Sequence, residues 1–141
     1  MTCELCEQDG GEIIHRGAQW RVVLVDDPDY PGFCRVIWDS HVQEMTDLPA
    51  AGRSSLMDAV WQVESALREV MRPDKINLAS LGNMVPHLHW HIIPRYAQDA
   101  HFPAPVWAVA QRVAAADDLA QRRVRLPALR EAIALRLAHH N

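Results

Sequence analysis

With 141 residues, 49% of them apolar, the chain is long enough for one domain with a real core and too short for two comfortable ones. A formal charge of −4 argues against a polynucleotide partner, which needs a basic face to displace counterions from many phosphates, but leaves room for a single nucleotide. No run approaches the roughly 20 apolar residues that span a bilayer, and the N-terminus lacks a basic, then apolar, leader, so a cytoplasmic protein with no membrane partner is the expectation.

The predicted elements run strands, helix, strands, helices. Glu12–Arg16 (EIIHR) and Trp20–Val25 (WRVVLV) are short and β-branched with Gly17 between them, which suggests a hairpin. The segment DDPDYPG (Asp26 to Gly32) is a turn, and FCRVIW (Phe33 to Trp38) is a third strand. Asp47 and Pro49 are helix-start signals. Leu56, Val60, Val63, Leu67 and Val70 then recur at helical spacing until Pro73, so one amphipathic helix spans Pro49 to Met71. Ile76 to Leu81 and His87 to Ile93 read as two more strands linked by GNMVP. The Ala- and Arg-rich tail after Pro105 reads as helical, interrupted at Pro127, with an apolar stripe through Leu129, Ile133 and Leu137.

Two local patterns carry chemistry. In HLHWHII, alternation along a strand puts His87, His89 and His91 on one face and Leu88, Trp90 and Ile92 on the other, so three imidazoles share a surface that could floor a pocket. A neutral imidazole offers one ring nitrogen as a nucleophile without needing a base, provided an acceptor holds the proton on its other nitrogen. Cys3 and Cys6 stand at the C-x-x-C spacing that serves metals or redox chemistry; Cys34, inside an apolar strand, reads as core. His15, His101, His139 and His140 read as surface residues.

The seven positions from His87 to Ile93 fit the signature His-φ-His-φ-His-φ-φ, with φ apolar, and the chain resembles the histidine triad (HIT) family. The resemblance extends to the N-terminal C-x-x-C, Pro31-Gly32, His41, the long helix, Asn77, Gly82-Asn83, Pro94-Arg95 and Trp107. It covers residues 3 to 107. It implies an α+β fold of HIT type: an antiparallel sheet of about five strands, one long helix and C-terminal helices, assembled as a homodimer. Residues 1–107 would be the HIT domain, and 108–141 a helical extension packed on it.

The resemblance also implies a function. A nucleotidyl hydrolase or transferase is expected, acting on a small nucleotide through a covalent nucleotidyl-histidine. His89 would attack the α-phosphorus, with His91 and His87 completing the catalytic set and Asp26, Asn77 and Asn83 binding the nucleotide. Cys3, Cys6, His41 and His87 would hold a structural Zn²⁺, and catalysis itself would need no cofactor. The chain departs from the family pattern at Phe33, where many members have histidine, at Met84, where many have a hydroxyl residue, and at Val25, where a ribose-binding acid is common. Asp26 is expected to substitute for that acid. The alternative function is a zinc-stabilised nucleotide-binding module without turnover.

Overall fold

The computed structural model describes residues 2–139, so His140 lies outside the described residues. A short helix α1 (Glu4–Glu7) precedes strands β1 (Glu12–Arg16), β2 (Trp20–Leu24) and β3 (Cys34–Trp38). The long helix α2 (Ala50–Met71) follows, then β4 (Lys75–Ala79), β5 (His89–Arg95), α3 (Ala116–Val124) and α4 (Leu126–Leu137). The strands form one antiparallel sheet in the order β1-β2-β3-β5-β4, which leaves β1 and β4 at its edges. The α+β fold with five strands and one long helix is the one expected.

Alternation assigns the two faces of the sheet. Trp20, Val22 and Leu24 of β2, Cys34, Val36 and Trp38 of β3, and Leu88 and Ile92 at β5 form one face, buried with the α2 stripe Leu56, Ala59, Val60, Val63, Leu67 and Met71. Trp20 Nε1 donates to Ser55 Oγ at 2.9 Å, satisfying the indole inside this core. Leu129, Ile133 and Leu137 of α4 join the same cluster, so the tail stripe is core packing. Arg130 pairs with Glu12 at 2.7 Å and Arg136 with Glu69 at 3.2 Å, tying α4 to β1 and α2 on the outside.

The tail departs from its expectation in two ways. Helix begins only at Ala116, about ten residues later than the composition suggested, and the break falls at Arg125. Pro127 lies in the first turn of α4, where its missing N–H costs nothing, so it starts a helix instead of interrupting one. Helix α2 ends on Arg72 in the left-handed region (φ 49°) ahead of Pro73. The Met71 carbonyl left over at that end accepts from Tyr96 Oη at 2.6 Å and Arg125 Nη1 at 3.1 Å. Gly32, at φ 99°, sits where an added Cβ would meet Met71 Cε at 3.2 Å, so the Pro-Gly turn packs closely on the end of α2.

Candidate functional site

The candidate site residues lie on the face of the sheet turned away from α2. Its residues form rows across the strands. Ile37 of β3 pairs with His89, and Arg35 pairs with His91, which in turn pairs with Ala79 of β4. Directly paired residues share a face, so Arg35, Ile37, His89 and His91 all project to this side. One row on, Asn77 pairs with Ile93, which clusters with Tyr30 and Phe33 and, partly buried beside them, Val25 and Val106.

At one end of this face the N-terminal segment is pinned down by Arg21, which donates to the carbonyls of Leu5 (2.7 Å), Gln8 (3.1 Å) and Asp9 (3.0 Å) and pairs with Asp39 at 2.8 Å. Leu5 packs on Val23 and Ile37. That anchoring brings Cys3 and Cys6 to His41 and His87, and the four ligand atoms all lie within 4.8 Å of one another. Cys3 Sγ is 3.4 Å and Cys6 Sγ 3.5 Å from His87 Nδ1, and Cys6 Sγ is 3.5 Å from His41 Nδ1. A tetrahedral ion with Zn–S near 2.3 Å and Zn–N near 2.0 Å separates its ligand atoms by about 3.3 to 3.8 Å, so the donor set fits a closed structural site. His87 Nε2 meets the Trp38 carbonyl at 2.5 Å; a carbonyl only accepts, so Nε2 carries the proton and Nδ1 presents its lone pair to the thiols. Burial, opposed by that carbonyl, lowers the His87 pKa and favours the neutral ring a metal ligand requires.

His89 is set by the same logic. Its Nδ1 lies 2.5 Å from the His87 carbonyl, which assigns the proton to Nδ1 and leaves the Nε2 lone pair free. Burial lowers its pKa, with the His87 carbonyl opposing and Arg35 reinforcing. His91 packs edge-on against His89 (4.8 Å between ring centres), Trp107 (5.1 Å) and Phe33 (5.6 Å). Burial, then the charges of His89 and Arg35, push its pKa down to about 3, so it is neutral at physiological pH. Its Nδ1 is buried with no protein partner. A cavity of about 250 Å³ opens beside His89, lined in part by Thr46, Ser80, Gly82 and His87.

The other end of the face is closed by a polar network. Arg95, 2% exposed, donates through Nε and Nη2 to the fully buried Asp99 at 2.8 and 3.1 Å, and through Nη2 to the Ala104 carbonyl at 2.7 Å. Backbone N–H groups of Tyr96, His101 and Phe102 also reach the Asp99 carboxylate. Burial raises the Asp99 pKa, but Arg95 and these N–H donors outweigh it and hold the carboxyl well below the usual range. Tyr30 Oη lies 3.1 Å from Asp99 and 2.7 Å from His101 Nδ1. The network fixes the segment that leads to Trp107.

The predicted site residues therefore separate into groups. His89 and His91 stand together, and Cys3, Cys6, His41 and His87 stand together, with His87 giving its ring to the cysteines and its carbonyl to His89. Asn77 is on the site face, but its Oδ1 accepts from Arg95 Nη1 at 2.7 Å. Asn83 is exposed on the loop after Gly82, which turns with φ 75°. Asp26 lines a separate cleft with Pro28, Arg123 and Arg130, on a lining that shares no residue with the cavity beside His89. His15 and His101 are half-buried where surface positions were expected: His15 faces Trp20 at 6.0 Å, and His101 stacks on Tyr30 at 5.7 Å. Cys34 is core as expected, its thiol pushed up to about 12 by burial. Sequence reasoning passed over Arg35, whose signal is a lone cation within the apolar run FCRVIW, in register with the last triad histidine.

Residues 9–98 match the family model described as the HIT domain. The chain is similar in structure to a histidine triad protein from Bradyrhizobium japonicum, at 34% identity and a TM-score of 0.73, over 89% of this chain and 92% of that one. A histidine triad protein from Marinobacter aquaeolei VT8 matches at 28% identity and a TM-score of 0.72, over 95% and 98% of the two chains. Among curated proteins, the chain is 30% identical over 98 residues to the AP-4-A phosphorylase of Mycobacterium tuberculosis, covering 65% of this chain and 50% of that protein. The chain thus spans about half the length of that relative. The family match takes in β1 through β5, both imidazoles of the candidate site and two of the four metal-donor residues, and the chain belongs to the HIT family.

Proposed function

We propose that the protein is a nucleotidyl hydrolase that cleaves a phosphoanhydride or phosphoramidate at the α-phosphorus of a nucleotide. The observation that carries this reading is the bond from His89 Nδ1–H to the His87 carbonyl, which leaves Nε2 unprotonated in a ring that burial favours in its neutral form. Nε2 forms a bond to phosphorus as the bond from phosphorus to the leaving oxygen or nitrogen breaks, giving a nucleotidyl-histidine and a leaving group that takes a proton from solvent. Water then attacks the same phosphorus, breaks the P–N bond and restores His89. His91, neutral and packed on His89, can donate its ring N–H to a phosphate oxygen as charge builds there. Asn83, on the loop bordering the cavity, is the proposed amide donor to the phosphate.

Zinc is the proposed occupant of the Cys3, Cys6, His41 and His87 set, on the strength of its donor chemistry and spacing. Its part is structural, since four protein ligands leave no position for a reacting water. We take residues 1–107 as the unit that carries the chemistry and 108–141 as an extension closing the core behind α2. A homodimer is proposed through the free edge of β4 and the outer face of α2, where Trp61 is 48% exposed and outside the core stripe.

The test is turnover of a panel of dinucleoside polyphosphates and nucleoside phosphoramidates by the wild-type chain and by His89→Asn. Replacing a covalent nucleophile costs orders of magnitude in rate. A variant that turns over near the wild-type rate, while binding nucleotide equally well, rejects the assignment. Denaturing a brief reaction without acid preserves the P–N bond and lets the labelled intermediate be isolated.

A further inference from the structure

Arg35, the second residue of β3, stands directly across from His91 and diagonal to His89, on the face that holds both rings. At those register positions the side-chain origins lie about 5 Å and about 7 to 8 Å apart, within reach of one bound group. Among the described residues, the guanidinium groups on this side of the sheet differ in how they are used. Arg21 is spent on Asp39 and three carbonyls, and Arg95 on Asp99, Asn77 and Ala104. Arg35 makes one hydrogen bond, from Nη1 to the Gly10 carbonyl at 3.0 Å, while its Nε is buried with no partner.

An unsatisfied, buried donor on a half-buried cation carries a desolvation cost that an anionic acceptor offsets. The residues around it point to what that acceptor is. His91, directly across from it, is neutral and brings no charge to a phosphate; burial lowers the Arg35 pKa, and the charge of Glu4, which makes no ion pair with the guanidinium, only partly opposes it. From this geometry we infer that Arg35 is a substrate-binding residue, the cation that contacts the phosphate oxygens of the group bound over His89 and His91. This rests on the nucleotide reading above and adds to it a residue that selects for anionic charge, distinct from those that recognise the nucleoside.

The discriminating measurement is binding of AMP and of adenosine, by calorimetry, to wild type, Arg35→Gln and Arg35→Lys. Loss of a charge-assisted hydrogen bond to phosphate weakens AMP by about ten- to a hundred-fold and leaves adenosine unchanged, with Arg35→Lys in between. Equal losses for AMP and adenosine, or no loss for either, overturn the inference. Thermal melting of each variant separates misfolding from lost recognition; if Arg35→Gln is unfolded, Arg35→Lys alone decides, by weakening AMP relative to adenosine or by failing to. If wild type binds neither nucleotide, the nucleotide reading fails by itself. Arg35 is then judged with inorganic pyrophosphate: binding that disappears in Arg35→Gln sustains the anion site, and its absence or persistence overturns it.

Discussion

The two ends of the site face solve the same problem in opposite ways. At the Cys3–Cys6 end, four donor atoms lie within 4.8 Å of one another, a set that the proposed zinc would complete from outside. At the Arg95–Asp99 end, a cation and a carboxylate are buried together with their hydrogen-bond partners already supplied by Asn77, Ala104 and three backbone N–H groups. Strand β5 runs between them, with His87 just ahead of its first residue and Arg95 as its last. On the proposed reading, one end is completed by an ion and the other is complete as folded.

The sharpest way to break that contrast is Asp99→Ala. It strands a buried guanidinium, which costs about 3 to 5 kcal/mol, so the urea midpoint should fall steeply while metal content stays at the wild-type value. A loss under about 1 kcal/mol would mean that the network is incidental. Next in size is the metal itself. An ion held at a free concentration a hundred times its Kd adds about 2.7 kcal/mol to stability. Chelation should therefore lower the wild-type melting temperature and leave that of Cys6→Ser where it is; a wild-type chain indifferent to chelator and free of zinc on elemental analysis would remove the site.

The smallest effect sits between the ends. His91 titrates near 3 when folded and near 6.5 when unfolded, so between those values the unfolded chain binds the extra proton and stability rises with pH. The slope for one such group approaches about 1.4 kcal/mol per pH unit. Measuring it from pH 4.5 to 6.5 in Cys6→Ser keeps metal release out of the curve, and His91→Gln should flatten it. An unchanged slope would place the titration elsewhere.

Much of this was legible because periodicity carries it. Alternation in HLHWHII assigned the two faces of β5, and the 3.6-residue stripe through Leu56, Val60, Val63 and Leu67 assigned α2. What escaped depended on tertiary partners. His101 looks like any polar loop residue until Tyr30, 71 positions earlier, lies against it. Asp26 has the right chemistry for a ribose, yet the turn directs it to the cleft with Arg123 and Arg130, while Val25 packs toward Phe33 and Ile93. The late start of α3 was hidden because Ala and Arg favour helix throughout the tail, and propensity alone does not locate a first turn.

His87 has two partners at once, its ring among the cysteines and its carbonyl under His89. A ligand that fixes the ring also fixes that carbonyl, and with it the direction of the His89 lone pair. The proposed metal and nucleotide would then be thermodynamically linked through one residue: whatever factor zinc adds to nucleotide affinity, nucleotide must add to zinc affinity. Where zinc strengthens nucleotide binding, a nucleotide-bound chain would hold zinc more tightly than an empty one by the same factor.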